Sequence, residues 1–210
     1  MNPVDLTHVL RRPGRYWNVD GLPLLGMGTL WLLNGAAILL MESLEGYRKL
    51  ASVPLTLCFM VAVFSLNYAV KELKQRITEP RTGAMRLREQ PGWPAAIGAF
   101  AAAFSMAVVV VVVRNGISGG LERAIPSGLG LVIAAAYFYA SHHYGIPSYS
   151  AAGLCALLSG LTLTVLQVSF PMSLGWFFLR VGTASILCGA GDLRRFLREN
   201  PLRPGEETAQ

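Results

Sequence analysis

The sequence predicts an all-α membrane protein: a polytopic bundle of six transmembrane helices in three hairpins, with both termini in the cytoplasm. Three observations carry that prediction. The 210 residues are 53% hydrophobic and only 14% charged, with a mean hydropathy of +0.45, which is too apolar for a soluble domain of this size. The apolar residues run in long segments of the length a hydrocarbon core requires, about 20 residues per helix. All of the 18 Lys and Arg residues except Arg180 avoid those segments, and 13 of them fall in three patches, Arg11 to Arg15, Lys71 to Arg88 and Arg194 to Arg203. A soluble helical core would need polar faces to cover it, and these segments have almost none.

Taken in order, residues 1–21 form a cytoplasmic, interfacial segment, and the first span covers residues 22–41. That span has full transmembrane length and no obvious small-residue cleavage site, so it reads as an uncleaved helix and not as a signal peptide. A short outer turn with Glu42, Glu45, Arg48 and Lys49 leads into the second span, residues 50–70. The loop from Lys71 to Trp93 is broken up by Pro80, Gly83, Pro91 and Gly92. The third span, residues 94–113, aligns Ala95, Ala99, Ala103 and Ala107 on one face, an interface for a neighbour in the same chain or in another subunit. Its continuous Val108 to Val113 run does not alternate, which argues against a β-barrel. The fourth and fifth spans cover residues 125–141 and 151–170, and a tight turn at Pro171 leads to the sixth, residues 172–190. Residues 22–198 are therefore one transmembrane domain, and residues 199–210 a flexible cytoplasmic tail.

Orientation follows from the basic residues. The N-terminal segment, the Lys71 loop and the C-terminal tail hold three, six and four of them, against four on the opposite side, Arg48, Lys49, Arg114 and Arg123. The positive-inside rule then places both termini in the cytoplasm and requires an even number of spans. Residues 71–80 and 192–201 form similar basic extensions of the second and sixth spans, each ended by proline. Lying on the inner leaflet, they would put their cations among anionic headgroups. The expected partners are membrane lipids and other membrane subunits; nucleic acid is not expected, because the aromatic and basic interleaving that grips single strands is missing. Cys58, Cys155 and Cys188 all lie inside spans without CxxC spacing and read as small buried side chains, so no metal and no cofactor is called for.

The sharpest candidate for function is Arg180, a charge about eight residues, or ~12 Å, below the outer end of its span. Its candidate partners by depth are Asn34, Gln167 and Glu42. Guanidinium matches carboxylate and phosphate geometry, so Arg180 reads either as the binding group for an anionic solute or headgroup, or as structural glue. His142 and His143 point about 100° apart on a helix, chelate one ion poorly, and read as interfacial packing beside Tyr137, Tyr139 and Tyr144. Gly116-Ile117-Ser118-Gly119 resembles the GxSG of rhomboid proteases over those residues alone; it stands in an outer loop with no base to activate Ser118, and a flexible turn explains it better.

A second polar cluster is expected at the inner face. Tyr16, Trp17, Asn18 and Asp20 precede the first span, and Ile77 to Gly83 follow the second. Antiparallel neighbours bring these stretches together, so Asp20 is expected to pair with Arg81 or another base of that loop, with Tyr16 and Trp17 in the interfacial belt. The combination of Tyr16-Trp17-Asn18-Val19-Asp20-Gly21 with Ile77-Thr78-Glu79-Pro80-Arg81-Thr82-Gly83 resembles a group of small uncharacterised bacterial membrane proteins. That resemblance implies a bacterial cytoplasmic membrane and supplies no activity.

Three function classes follow. An accessory, assembly or interaction subunit of a larger membrane complex needs a compact bundle, small-residue faces and polar anchors, and the sequence has all of these. A small transporter for an anionic solute or lipid would rest on Arg180, Asn34 and Pro54. A lipid-modifying enzyme needs convergent acids, bases or metal ligands, and the carboxylates here are scattered in loops, so no catalytic residue is assigned.

Overall fold

The computed structural model describes residues 18–43, 61–62, 65–66, 68–82 and 121–201. Its helices are α1 (Leu22–Ser43), α2 (Glu79–Thr82), α3 (Leu121–Tyr144), α4 (Pro147–Val165) and α5 (Phe170–Glu199), with residues 68–77 helical before α2. Four of these, α1, α3, α4 and α5, are long and apolar enough to cross a membrane. They correspond to the predicted first, fourth, fifth and sixth spans. The third span, most of the second, the Gly116 to Gly119 turn, Tyr16, Trp17 and Cys58 lie outside the described residues.

Local chemistry sets the helix ends. Gly21 adopts φ +70°, a left-handed conformation that glycine reaches without steric cost, and its carbonyl accepts the first helical bond of α1 from Leu25 N at 2.9 Å. Asp20 caps the same end, its Oδ1 accepting from Leu22 N at 3.2 Å. At the other hairpin, Gly145 at φ +68° ends α3, and Gly145 N and Ile146 N both donate to Ser141 O, at 2.8 and 3.2 Å. Pro147 then starts α4, where its missing N–H costs nothing. The fifth span thus begins at residue 147, four positions before the apolar run that predicted it at 151. The turn between α4 and α5 occupies residues 166–169, and Pro171 sits in the first turn of α5 rather than in the link itself.

α5 runs unbroken for 30 residues. At 1.5 Å per residue it is roughly 45 Å long, against a hydrocarbon core of about 30 Å, so its basic last turns project beyond the span as a continuation of the same helix. Among the described helices it packs against α1, α4 and α3, and Leu174, Phe177, Phe178, Val181 and Ser185 are all fully buried on it.

Glycine seams let the backbones approach. Gly21, Gly28 and Gly35 on or beside α1 face Gly189, Gly182 and Gly175 on α5, each set at seven-residue spacing and running antiparallel. A Cβ at Gly28 would stand 2.7 Å from Ile186 N and 2.9 Å from Gly182 O, and one at Gly182 would stand 2.5 Å from Leu32 N. No side chain fits there, and the space is filled instead by backbone in van der Waals contact. Between the seams Trp31 stacks on Phe178, centroids 5.2 Å apart. A second seam joins α3 to α4: a Cβ at Gly160 would stand 2.5 Å from Pro126 O, and one at Gly130 2.9 Å from Ala156 O. Val70 of the 68–77 helix, and Leu66 ahead of it in the chain, lie against Gly26 of α1.

Candidate functional site, a buried polar cluster at one end of the bundle

Antiparallel pairing gathers residues 18–21, the 68–82 segment, the α3–α4 turn and the C-terminal part of α5 at one end. Asp20 is the hub. It is fully buried, and its Oδ2 accepts from Lys74 Nζ at 2.6 Å and from Thr78 Oγ1 at 2.9 Å, while Oδ1 caps α1. Lys74 is only 5% exposed, so this pair is a buried ion pair and not a surface one. Lys74 and Thr78 are four residues apart on one helical face, which is why both reach the same oxygen. Burial pulls the Lys74 ammonium below its usual value, and the Asp20 carboxylate pulls it partly back.

Around this pair the remaining polar groups close on one another. Tyr149, in the first turn of α4, donates its hydroxyl to Asn18 Oδ1 at 2.8 Å, tying α4 to the mouth of α1. Ser148 donates to Asp192 Oδ1 at 2.6 Å, tying α4 to α5. Asp192 Oδ2 is buried with no hydrogen-bond partner among the described residues. Arg81 donates from Nη1 to the Asn200 carbonyl at 3.1 Å, which supplies a cation to the C-terminal end of α5. Deeper in the bundle, Tyr137 and Ser185 hydroxyls meet at 3.1 Å.

Of the residues expected to meet at the inner face, Asp20 pairs with Lys74 of the following loop and Arg81 donates to Asn200, while Tyr16 and Trp17 lie outside the described residues. Asn18 and Thr78, from the same two stretches, bond to Tyr149 and to Asp20. Lys74, Ser148, Tyr149 and Asp192 join these bonds from positions that the sequence does not mark. Their only sequence signal is a polar side chain within two turns of a span end, shared with many residues that do nothing.

At the opposite end Arg180 is exposed and donates from Nη1 to Thr162 Oγ1 of α4 at 3.3 Å. Of its candidate partners, Asn34 is buried on α1 with Oδ1 unsatisfied among the described residues, Gln167 is exposed in the α4–α5 turn at φ 50°, and Glu42 lies in the last turn of α1. None of the three makes a described bond to Arg180. His143 stacks on Tyr139 at 5.6 Å and meets Tyr144 edge-on at 5.0 Å, both histidines being exposed.

These bonds differ in expected weight. Tyr149→Phe removes one buried hydroxyl bond and should lower stability by about 1 kcal/mol, read as a reduced melting temperature of the detergent-solubilised protein. Arg76→Ala, which breaks the exposed Arg76 to Glu72 pair at 2.8 Å, should leave that temperature unchanged. A difference in the reverse order would mean that burial does not rank these contacts. Comparisons with protein-family models, curated proteins and solved structures find no match for this chain.

Proposed function

We propose that the chain is a non-catalytic, multi-pass protein of the bacterial cytoplasmic membrane that acts as an accessory or assembly subunit of a larger membrane complex. The observation behind this reading is that Asp20, Lys74, Thr78, Asn18 and Tyr149 are bonded to one another, with Asp192 Oδ2 left over among the described residues. Asp20 uses both oxygens on Lys74, Thr78 and the α1 backbone, and Asn18 is engaged by Tyr149. Groups bound in this way fix helix ends in register, which is what an assembly subunit requires of them, while a catalytic acid or base needs a proton position facing substrate.

The test is isolation of the protein from native membranes in a mild detergent, with the stoichiometry of its companions measured. Stoichiometric membrane partners support the subunit reading. A lone monodisperse protein sinks it and moves weight to transport of an anionic solute.

The reading includes six spans with both termini inside. In a chain whose native cysteines are replaced by serine, Arg123→Cys should react with a membrane-impermeant maleimide in intact cells, and Glu206→Cys only after permeabilisation. The opposite pattern would invert the topology, and labelling of both in intact cells would break the even span count.

A further inference from the structure

From the way Arg180 sits at the far end of the bundle, we infer that Arg180 and Thr162 form a seat for the phosphate of a membrane phospholipid, in the leaflet opposite the Asp20 cluster. The guanidinium fork of N–H donors makes one hydrogen bond among the described residues, to Thr162, and is otherwise exposed. A cation in an apolar span requires an anionic or polar partner. This chain has no Asp or Glu in any of its six apolar segments, residues 22–41, 50–70, 94–113, 125–141, 151–170 and 172–190. None of those segments therefore offers a carboxylate within the span, and Glu42 lies beyond the end of the first of them.

Direction decides between the remaining anions. The Arg180 backbone lies ten residues into α5, roughly 15 Å below its start. Side chains on a helix lean toward its N-terminus, and here the guanidinium reaches Thr162, three residues short of the end of α4, roughly 5 Å below that end. Arg180 thus snorkels toward the headgroup layer, where phosphate is the abundant anion. Exposed Trp176 stands one turn nearer the same surface and Met172 one turn further, an aromatic and apolar flank for the acyl chains and glycerol. Gln167, exposed in the turn above, adds an amide at headgroup level. Guanidinium binds phosphate through paired donors, so charge alone is not equivalent at this position.

This inference rests on the membrane reading and not on the subunit reading, so the two fail separately. The test is photolabelling of the full chain in bilayer nanodiscs with phosphatidylglycerol carrying a diazirine next to its headgroup, with labelled peptides mapped by mass spectrometry. Wild type should be labelled within residues 160–180, and Arg180→Leu should lose at least tenfold of that signal. Arg180→Lys should retain an intermediate amount. Labelling of the basic α5 tail at Arg194 and Arg198 should stay constant in every variant, which reports that the bundle is folded and embedded. A phosphate-free glycolipid bearing the same diazirine should label residues 160–180 equally in wild type and Arg180→Leu. Two results overturn the inference: labelling by phosphatidylglycerol that does not depend on Arg180, or labelling that appears only after a copurifying protein is stripped away, which would assign the face to a protein partner.

Discussion

Gly182→Leu is expected to force α1 and α5 apart and to be among the most damaging single substitutions in the chain. The Cβ alone would lie 2.5 Å from Leu32 N and 2.8 Å from Gly28 O, and both of those atoms belong to the backbone of α1. A flexible side chain can rotate away from such a clash, whereas a hydrogen-bonded helix cannot, so the helices must separate. Separation would loosen the Trp31 and Phe178 stack and weaken the buried contacts of Leu174 and Val181. Overpacking in a core costs about 1–3 kcal/mol, and a clash between two backbones belongs at or above the top of that range. Gly182→Ala should already be measurably destabilised, and Gly191→Ala, where an added Cβ meets nothing within 4 Å, should be neutral. Thermal stability in detergent, followed by the loss of the monodisperse peak, checks the order. If Gly182→Leu melted with wild type, the close approach of α1 and α5 would be wrong.

That pairing was only half legible in the sequence. Four of the predicted spans were, as helices long and apolar enough to cross a membrane, because hydrocarbon imposes a length and an apolar composition that few other environments tolerate. The seven-residue glycine spacing was also present in the letters, but Gly26 in the first span and Gly191 in the last interrupt it, and small residues are common in every span. The most regular small-residue face in the letters is Ala95 to Ala107 on the third span. Which stripes face each other is a long-range property of two helices about 150 residues apart, and nothing local to either one encodes it.

The polar cluster was legible to a similar degree. Antiparallel neighbours must bring the residues before the first span to those after the second, so a partner for Asp20 among the bases of that loop followed from topology. The identity of the base did not follow. Lys74 reaches Asp20 because the helix continues past the apolar run with Lys74 and Thr78 on the face that Val70 also occupies against α1. Arg81 lies in α2, on a separate short helix, and meets Asn200. Tyr149 and Asp192 enter from elements whose arrangement around the first helix is set only by packing. Arg180 stood out as an unusual charge in an apolar segment, and its direction came from helix geometry that no residue count supplies.

Asp20→Asn should be the second severe substitution, and its pattern of rescue distinguishes a charge effect from a packing effect. Asparagine is nearly isosteric and keeps an oxygen to cap Leu22 N, so the α1 end and the local shape survive. What is lost is the carboxylate beside Lys74, an ammonium only 5% exposed. Breaking a buried pair by removing one partner costs about 3–5 kcal/mol, because the remaining charge stays desolvated. Removing both charges avoids that penalty, so Asp20→Asn combined with Lys74→Met should recover most of the loss. The pH dependence has a defined sign. Burial already holds Lys74 below its usual 10.5, and losing the Asp20 carboxylate removes a charge that raises it, so the folded ammonium is disfavoured further. Between the depressed folded value and 10.5 the unfolded chain binds more protons than the folded one, and stability therefore rises with pH. The Asp20→Asn deficit should accordingly shrink as the buffer is made more alkaline, while the double variant, which has no ammonium to neutralise, should show no such recovery. Where the single variant yields too little protein to melt, its yield relative to the double variant gives the same comparison. A double variant no better than Asp20→Asn alone would mean that Asp20 acts through its hydrogen bonds to Thr78 and Leu22, and not through its charge.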